Sequence, residues 1–571
     1  MTKQAFNPYL PLDEYVPDGE PHVFGDRVYV FGSHDRANAA TFCARDYVGW
    51  SAPVDDLGNW TCAGTIYSAK QDPLYNAGKM AYMYAPDCVR GKDGRYYLYY
   101  CMAGYRGKGG YSNPVSVAVA DEPNGHYEYL GIVRDSEGNP LTKYVCFDPA
   151  VLNDDGVIRL YYGTYYGFSH RMPPAAARKI MEKMFGRTAE EIRAVKGEID
   201  GACMVELEDD MLTARTEPVK IVPDEFAKSG HPFFEGSSIR RVKYRVAAEE
   251  ESSAEEESSA GEEMPSEEQL SAGKDTSAEE QLSVGKQTPA DELSRAEEAG
   301  VRNKSGKTVR DPDYEIRKMY IFVYSSRQNH ELCYATSEYP DHGFTFRGTI
   351  ISNGDIYLDG RKPSKRLNHT GTNHGGIEYI NGQWYVFYHR LTNMSDYSRQ
   401  GCAEPIEVLE DGTICQAEMT SCGLNGGPLK AEGTYPAAIC CNLTNGRMRH
   451  GSNAVMDYHA PRIMCGRIPG TKGKKQETYV GRISRDTIIG YKYFQFDGEE
   501  VTITVTMRGR GDGVLYVITG DDGEAAAEIE VSGSGEWRKY STSWEQEAGT
   551  APLYLAFEGK GQFDLLEFSL G

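Results

Sequence analysis

The sequence predicts an all-β protein, a five-bladed β-propeller followed by a β-sandwich. The chain of 571 residues contains 40 tyrosines and 62 glycines, a composition typical of short aromatic strands joined by glycine-rich turns. Apolar stripes at helical spacing are few. The length exceeds what one ordinary hydrophobic core requires, so we expect at least two domains.

Five similar aromatic strands recur between Phe24 and Ile414, and they indicate the propeller. Asp-Gly or Asn-Gly turns precede several of them, as expected where a tight turn closes a β-hairpin. Similar units spaced by roughly 60 to 90 residues, apart from one long insertion, predict radial repetition around a central pocket. The five strands are 27–31, 95–100, 159–163, 319–324 and 383–388.

Two segments interrupt the repeated pattern. Residues 173–195 carry apolar side chains at helical spacing, which predicts a helical decoration on one blade. Residues 249–312 form an acidic insertion without aromatic residues, in which the octapeptide at 267–274 recurs at 279–286 with one substitution. Such a segment buries too little apolar surface to offset its ordering entropy, so it is predicted to be disordered.

The end of the chain has a different pattern. After Cys422, glycine-rich connectors alternate with strands such as 501–505 and 514–518, which predicts a separate β-sandwich. The expected domains are a propeller over residues 1–422, including the insertion, and a sandwich over residues 423–571.

The charge and the chain start exclude several classes of partner. The net charge is −23, but residues 249–300 alone hold 17 acidic and 3 basic residues. The remainder lacks the basic patch that nucleic acid or an anionic membrane surface requires. The first residues contain no apolar signal segment, and no apolar run of 18 residues occurs. We therefore expect a cytoplasmic protein, with its 13 cysteines mostly reduced and buried.

Three acidic residues lie where a blade's first strand is expected to begin, beside residues that bend the chain. They are Asp18 before Gly19, Asp148 before Pro149 and Glu235 before Gly236. Glycoside hydrolysis needs one carboxylate to activate water and one carboxyl group to protonate the leaving oxygen, and a third charge nearby can keep the acid protonated. Each pattern alone is common turn chemistry, but the three together supply this inventory.

Six sequence motifs, in order along the chain, resemble glycoside hydrolase family 43. The resemblance covers residues 1–422, and the remainder resembles the carbohydrate-binding-module-6-like sandwich carried by some members. It implies that Asp18 is the general base, that Asp148 tunes and orients the acid, and that Glu235 is the acid. The motifs are Asp18 with 22–24 and 28–35, Tyr84-Ala85-Pro86-Asp87, Phe147-Asp148-Pro149-Ala150, Glu235-Gly236-Ser237-Ser238-Ile239, Asn373-His374-Gly375-Gly376, and Arg399 with 411–413.

Further residues are candidates for contact with a sugar. The resemblance implies that His374 lies beneath the pocket and that Arg399 contacts the substrate. His374 could instead be a core histidine or a ligand of a buried ion, and Arg399 could pair with Asp396 or Glu404 at the surface. Aromatic rings beside the carboxylates suit the C–H faces of sugars. The candidates are Glu20, Tyr84, Phe147, Phe234, His374 and Arg399.

One departure from the family pattern leaves the base open between two residues. The usual Asp-Pro is Asp18-Gly19 here, and Glu20-Pro21 follows. Aligning the family motif without a gap through His22 places the base at Asp18. Aligning the family's acidic residue-proline dipeptide with Glu20-Pro21 places the base at Glu20. Residues two apart on an extended chain share a face, so Glu20 is also expected near the pocket.

The resemblance implies an exo-acting, inverting hydrolase that releases arabinofuranosyl or xylosyl units from short plant-derived oligosaccharides. A β-galactoside is an alternative substrate. A catalytically silent carbohydrate-binding propeller is the alternative from another class, although all three carboxylates are retained, and a retaining fructosidase is disfavoured by the first-blade motif. Residues 305–308 lack the first glycine of a phosphate loop. No cofactor is expected, with a structural calcium ion as the open alternative.

Overall fold

The computed structural model covers the chain with several gaps. The helical decoration predicted at 173–195 lies outside the described residues, as does the insertion at 249–312 apart from residues 288–289. No helix in the described part of the chain is long and apolar enough to cross a membrane. The described residues are 4–76, 80–105, 113–165, 201–222, 229–247, 288–289, 314–409, 411–451, 459–467, 476–520 and 523–571.

The chain divides into two compact units. The first comprises Met1–Arg241 and Met319–Gly571, and it contains both the blades and the C-terminal strands. The second is Val242–Lys318, in which Val242 pairs with Pro289 and Lys243 with Thr288. The domain boundary at residue 422 therefore stays a prediction.

Five antiparallel sheets follow one another along the first unit as the blades of a propeller. Each sheet is a meander in which strands adjacent in sequence are also hydrogen-bonded neighbours. Blade 1 contains β1 (Glu20–Phe24), β2 (Arg27–Phe31), β3 (Tyr47–Pro53) and β4 (Thr61–Tyr67); blade 2 contains β5 (Tyr82–Arg90), β6 (Tyr96–Ala103), β7 (Ser116–Ala120) and β8 (Glu128–Ile132); blade 3 contains β9 (Ala150–Asp154), β10 (Val157–Tyr162), β11 (Cys203–Leu207) and β12 (Val219–Lys220). Blade 4 contains β13 (Phe233–Ala247), β15 (Tyr314–Ser326), β16 (Leu332–Ser337) and β17 (Thr345–Ile351), with β14 (Thr288–Pro289) beside β13; blade 5 contains β18 (Ile377–Ile380), β19 (Gln383–Leu391) and β20 (Arg399–Ile406).

The five aromatic strands predicted from the sequence are the second strands of the blades. The turns before them have the backbone that tight hairpins require. Asp155 and Gly156 have φ of 52° and 91°, and Asn381 and Gly382 have φ of 47° and 93°. Two successive residues with positive φ match the right-handed twist of the flanking strands, which is why Asp-Gly and Asn-Gly occur here.

Apolar clusters fill the space between neighbouring blades. Blades 1 and 2, blades 2 and 3, and blades 3 and 4 each share a cluster of buried aromatic and aliphatic side chains. Blade 5 closes the ring on blade 1, where Phe387 and Ala403 belong to the same cluster as Val28, Val30 and Trp50. The first strands of the blades lie close together. Strand β1 contacts both β5 and β18, and β5 also contacts β9.

The C-terminal strands form the sandwich. Its two longest strands, Glu500–Ile518 and Gly549–Leu570, pair along most of their length. The pairing runs from Ile503 with Leu570 to Ile518 with Tyr554. Gly511 has φ of 111°, and a Cβ there would lie 1.9 Å from the carbonyl oxygen of Lys560. The glycines at this position therefore allow the two backbones to approach each other closely. The strands are β21 (Leu429–Lys430), β22 (Gly433–Pro436), β23 (Asn442–Thr444), β24 (Arg462–Arg467), β25 (Gln476–Ile483), β26 (Thr487–Phe496), β27 (Glu500–Ile518), β28 (Ala527–Ser532), β29 (Arg538–Glu545) and β30 (Gly549–Leu570).

The predicted fold class is confirmed. Helical structure in the described residues is limited to single 3₁₀ turns, while strands build both the propeller and the sandwich. The 3₁₀ turns are Ala69–Gln71, Leu358–Gly360, Pro363–Lys365, Gly423–Asn425 and Ala437–Ile439.

Candidate active site

The three predicted carboxylates lie at the beginnings of first strands from three different blades. Asp18 and Asp148 each come two residues before a strand, and Glu235 is the third residue of β13. Asp18 has φ of 57° and Asp148 has φ of 44°. Left-handed backbone is uncommon outside glycine, costs roughly 1 to 3 kcal/mol and is concentrated at functional sites. Two of the three carboxylates therefore lie on the left-handed backbone that Asp also adopts in turns such as Asp155.

Asp18 is a buried carboxylate surrounded by cationic and imidazole groups. The Nη1 of Arg399 donates to its Oδ1 at 2.7 Å, and the backbone N–H of Asp18 donates to His389 Nδ1 at 3.2 Å. His374 Nδ1 lies 3.7 Å from the same carboxylate. Burial raises the pKa of Asp18, but Arg399, His389 and His374 together outweigh burial and hold the pKa below its ordinary value. Asp18 is therefore ionised at neutral pH.

Asp148 and Glu235 respond to the same surroundings in the opposite direction. Burial, and then repulsion by Glu235 and Asp18, raises the pKa of Asp148 well above its ordinary value. Burial, and then the negative charge of Asp18, raises the pKa of half-buried Glu235 to about 8. Asp148 and Glu235 are thus held toward the protonated form at neutral pH, beside an ionised Asp18.

His374 lies close to two of the three carboxylates. Its Nδ1 is 3.8 Å from Asp148 Oδ2, in addition to the contact with Asp18. A Cβ at Gly236, where φ is 76°, would lie 2.8 Å from the His374 ring. Glycine after Glu235 therefore allows the acid-bearing strand to approach His374. Burial lowers the pKa of His374 below its ordinary value, so the ring is neutral at neutral pH.

Arg399 is buried beneath the carboxylates and is not at the surface. Besides Asp18 it binds Asp35, with Nε 2.8 Å from Oδ2, and its guanidinium lies 4.8 Å from the ring centroid of Phe42. The alternative of a surface ion pair is wrong, because Arg399 is only 5% exposed. A contact between Arg399 and substrate stays a prediction.

The predicted aromatic residues occupy two places. Tyr84 and Phe147 are buried together, with ring centroids 5.5 Å apart, in the cluster that also contains Cys43 and Cys101. Phe234 is half-buried and stacks on His330 at 4.9 Å. Tyr84 and Phe147 lie beside the carboxylates, and their contact with a sugar stays a prediction.

Glu20 belongs to a second cluster farther along the first strands. Its Oε1 accepts from Arg240 Nη1 at 2.7 Å and from Ser238 Oγ at 2.9 Å. Burial raises the pKa of Glu20 to about 7, although Arg240 opposes this rise. The groups that act on Glu20 differ from those that act on Asp18. Glu20 was expected to share a face with Asp18 because residues two apart on an extended chain do so. The backbone at Asp18 is left-handed and not extended, so that reason does not hold.

The described residues contain one group of side chains that could bind a metal ion, and these side chains already contact other residues. Glu20, His22 and Asp87 offer ligand atoms within 4.8 Å of one another. However, Arg240 already binds Glu20, and His22 Nε2 lies 2.6 Å from Asp87 Oδ1. The imidazole and the adjacent guanidinium also make this group a poor match for calcium, which prefers oxygen ligands. The expected structural calcium ion stays a prediction.

Four residues near the site were not singled out by sequence. Asp35 and Phe42 surround Arg399, His389 accepts from the N–H of Asp18, and His330 stacks on Phe234. Two of them carried a signal. Asp35 is the last residue of the first-blade match, and His389 is a histidine within the apolar strand β19. Nothing in the sequence around His330 distinguishes it from a turn residue.

Comparisons with known proteins identify the family of this chain. The model of glycosyl hydrolases family 43 matches residues 25–243. A xylosidase/arabinosidase of Thermoclostridium stercorarium is 37% identical over 583 residues, which span 100% of this chain and 99% of that protein. A xylosidase/arabinosidase of Bacteroides ovatus is 24% identical, covering 67% of this chain and 87% of its own.

A solved structure is also similar to this chain. It is a family 43 arabinoxylan arabinofuranohydrolase from Bacillus subtilis in complex with cellotetraose, 17% identical, with a TM-score of 0.42 over 99% of this chain and 97% of that one. The match of the full-length relative and of the family model confirms the resemblance predicted from the six motifs. The chain therefore belongs to glycoside hydrolase family 43.

Proposed function

We propose that this glycoside hydrolase is exo-acting and inverting, with Asp18 as general base, Glu235 as general acid and Asp148 as the carboxylate that tunes the acid. The observation that carries the proposal is the opposite direction of two pKa shifts within one site. The pKa of Asp18 is lowered, and that of Glu235 is raised to about 8. A base must be ionised and an acid protonated at the same pH, and these surroundings supply both.

The proposed reaction is a single displacement. Asp18 accepts a proton from a water molecule, whose oxygen forms a bond to the anomeric carbon. Glu235 donates its proton to the glycosidic oxygen as the bond between that oxygen and the anomeric carbon breaks. The products are a free sugar of inverted configuration and the shortened oligosaccharide. A subsequent exchange of protons with water restores both carboxyl groups.

The inverting mechanism requires room for the water molecule. In inverting enzymes the two carboxyl groups are roughly 6.5 to 9.5 Å apart, whereas in retaining enzymes they are about 5 to 5.5 Å apart. Arg399 supports the role of Asp18 as a base, because its positive charge stabilises the ionised carboxylate.

The proposed substrates are short oligosaccharides that end in a xylosyl or an arabinofuranosyl unit. Two relatives carry the name xylosidase/arabinosidase, one of them along the full length of this chain. Buried Tyr84 and Phe147 lie beside the carboxylates, and such rings pack against the C–H faces of a sugar. The sandwich is proposed as an accessory carbohydrate-binding region.

A panel of 4-nitrophenyl glycosides tests the proposed substrate. We expect turnover of the β-D-xyloside, of the α-L-arabinofuranoside, or of both, and no turnover of the β-D-galactoside. Turnover of the galactoside alone would contradict the proposed substrate. Proton NMR of the first-formed sugar, recorded before mutarotation, tests the mechanism. We expect inverted configuration, and a retained configuration would exclude Asp18 as a base that acts through water.

A further inference from the structure

Two histidines from distant parts of the chain lie next to the residue that precedes the proposed acid. His330, in the turn between β15 and β16, stacks on Phe234 with ring centroids 4.9 Å apart and planes at 27°. Phe234 immediately precedes Glu235. His450, between β23 and β24, places its ring edge-on to His330, with centroids 5.0 Å apart and planes at 78°. Both histidines are half-buried, so part of each ring is accessible.

His330 is fixed with one ring nitrogen occupied. Its φ is 55°, in the left-handed region, and its Nδ1 accepts from the backbone N–H of Thr372 at 2.6 Å. Burial, and then His450, lowers the pKa of His330 to about 3, so the ring is neutral at neutral pH. The single proton of a neutral ring with an accepting Nδ1 lies on Nε2. Among the described residues, nothing accepts a hydrogen bond from this Nε2.

His450 is oriented in the same way by a different donor. Arg366 Nη1 donates to Thr370 Oγ1 at 2.6 Å, so the hydroxyl hydrogen of Thr370 is available to His450 Nδ1 at 3.1 Å. Burial, and then the nearby Arg366, lowers the pKa of His450 to about 4. With the Thr370 hydroxyl donating to Nδ1, the remaining proton of a neutral His450 lies on Nε2, for which the described part of the chain shows no acceptor.

The backbone around His450 is joined to the loop that leads into the site. Thr370 N–H donates to the carbonyl of Arg449 at 3.2 Å, and the N–H of Gly451 donates back to the carbonyl of Thr370. Two residues later, the hydroxyl of Thr372 lies 3.4 Å from His389 Nε2. Contacts therefore run from Glu235 through Phe234, His330 and Thr372 to His389 beside Asp18. The segment around His450, which follows the propeller in sequence, therefore contacts the loop that carries Thr370 and Thr372.

We propose that His330 and His450 form a subsite for the leaving-group sugar, in which the two Nε2–H groups donate to its hydroxyl oxygens. The acid must reach the oxygen that joins the two sugars, and the ring beneath His330 belongs to the chain neighbour of the acid. Two fixed, neutral N–H donors beside an exposed part of an aromatic ring are the combination that binds sugars. This inference rests on the proposed role of Glu235. It also makes the segment around His450 part of the active site.

Substitution by asparagine tests the subsite with little disturbance. The side-chain oxygen of asparagine stands at the same number of bonds from Cβ as Nδ1, so His330→Asn and His450→Asn keep the contacts with Thr372 and Thr370 while removing Nε2–H. Asparagine also tolerates the left-handed backbone at position 330. His342→Asn is the matched control, because His342 lies in the following turn with its side chain 63% exposed.

The readout is a ratio of two activities, the kcat/KM for 1,4-β-xylobiose divided by the kcat/KM for methyl β-D-xylopyranoside. If the wild-type protein cleaves only arabinofuranosides, 1,5-α-arabinobiose and methyl α-L-arabinofuranoside replace them. Each variant should lower the ratio roughly 3- to 10-fold, as expected for one neutral hydrogen bond, mainly by raising KM for the disaccharide. His342→Asn should leave the ratio at the wild-type value.

The possible results separate this inference from the proposed function. If both substrates lose activity by the same factor, the ratio is constant, and the histidines only support the site. If neither substrate is affected, the subsite does not exist. Either result would overturn the inference while leaving the hydrolase intact. A wild-type protein that cleaves none of the four glycosides would instead refute the proposed substrates.

Discussion

Two clusters of buried charge lie on the same first strands of the propeller, and they behave differently. The upper cluster contains Asp18, Asp148 and Glu235 at the beginnings of the strands. The axial cluster, farther along the strands, contains Glu20, His22, Asp87, Arg240 and Glu378. Both are built from the same residue types.

Each carboxylate of the axial cluster contacts a guanidinium or an imidazole, and these contacts join the blades. Glu20 and Glu378, from blades 1 and 5, both bind Arg240 of blade 4. Asp87 of blade 2 contacts His22 of blade 1 at 2.6 Å and accepts from the backbone N–H of Val151 in blade 3 at 2.6 Å. Every blade therefore takes part in one polar network around the axis.

The upper cluster has more carboxyl groups than cations. Its one guanidinium, that of Arg399, is shared between Asp18 and Asp35, and its histidines have lowered pKa values. Three carboxylates cannot all ionise there, so the protons distribute unequally. The comparison teaches that opposite pKa shifts among neighbouring carboxyl groups mark the chemistry, whereas carboxylates that each contact a guanidinium or an imidazole mark the scaffold.

The largest expected effect separates Asp18 from Glu20. Asp18→Asn should lower kcat about 10³-fold, because a general base contributes roughly 10²- to 10⁴-fold, and asparagine tolerates the left-handed backbone. Glu20→Gln should lower kcat less than about tenfold under the same principle, because Glu20 is bound to Arg240. Steady-state kinetics on the best 4-nitrophenyl glycoside measures both. The reverse order of effects would identify Glu20 as the base.

The second effect concerns the stability of the axial cluster. Arg240→Met leaves Glu20 and Glu378 facing each other without a cation, and breaking such a buried pair typically costs about 3 to 5 kcal/mol. Urea unfolding should show this loss. For comparison, Arg90→Met removes an arginine that lies over the exposed side of Tyr96, and it should change the free energy of unfolding by less than about 1 kcal/mol.

The loss should also depend on pH. An acid whose folded pKa exceeds its unfolded value makes the folded state less stable as pH rises from the unfolded pKa to the folded pKa. The pKa of Glu20 is already raised to about 7 with Arg240 present, and it should rise further without Arg240. The penalty of Arg240→Met should therefore be larger at pH 8 than at pH 5. An equal penalty at both pH values would show that Glu20 does not carry the charge.

The sequence predicted the scaffold better than the base. Hairpin turns such as Asp155-Gly156 are local, so the repeated strands and the blades followed from short-range patterns. Asp18 and Glu20 are equally acidic in sequence, and only contacts with Arg399 or Arg240, more than 200 residues away, distinguish them. His330 was missed for the same reason, because its partners Thr372 and His450 come from other blades and from the segment after them.

A smaller effect is expected from Asp148→Asn on the dependence of activity on pH. With the pKa of Glu235 raised to about 8, kcat/KM of the wild-type protein should fall as pH rises through about 8, where the acid loses its proton. Asp148 and Glu235 repel each other when both are ionised, so an ionised Asp148 raises the pKa of Glu235. Removing that charge should lower the pKa of Glu235 by at most about 1 unit, so the basic limb should move to lower pH and turnover should fall. An unchanged limb would mean that Asp148 is itself neutral over this range and does not tune the acid.

The smallest effect is expected at the edge of the axial cluster, from His22→Asn. The contact between His22 and Asp87 is short, at 2.6 Å, but the side chain of His22 is 14% exposed. Asp87 also keeps two backbone donors, the N–H groups of Cys88 and Val151, both at 2.6 Å. The loss of one hydrogen bond whose acceptor stays satisfied should therefore lower the free energy of unfolding by only about 1 kcal/mol. The kcat should not change, because neither residue touches the upper cluster. Urea unfolding and steady-state kinetics on the same preparation test both statements. A loss as large as that of Arg240→Met would show that His22 is an essential cation of the network, and a loss of kcat alone would show that the two clusters are coupled.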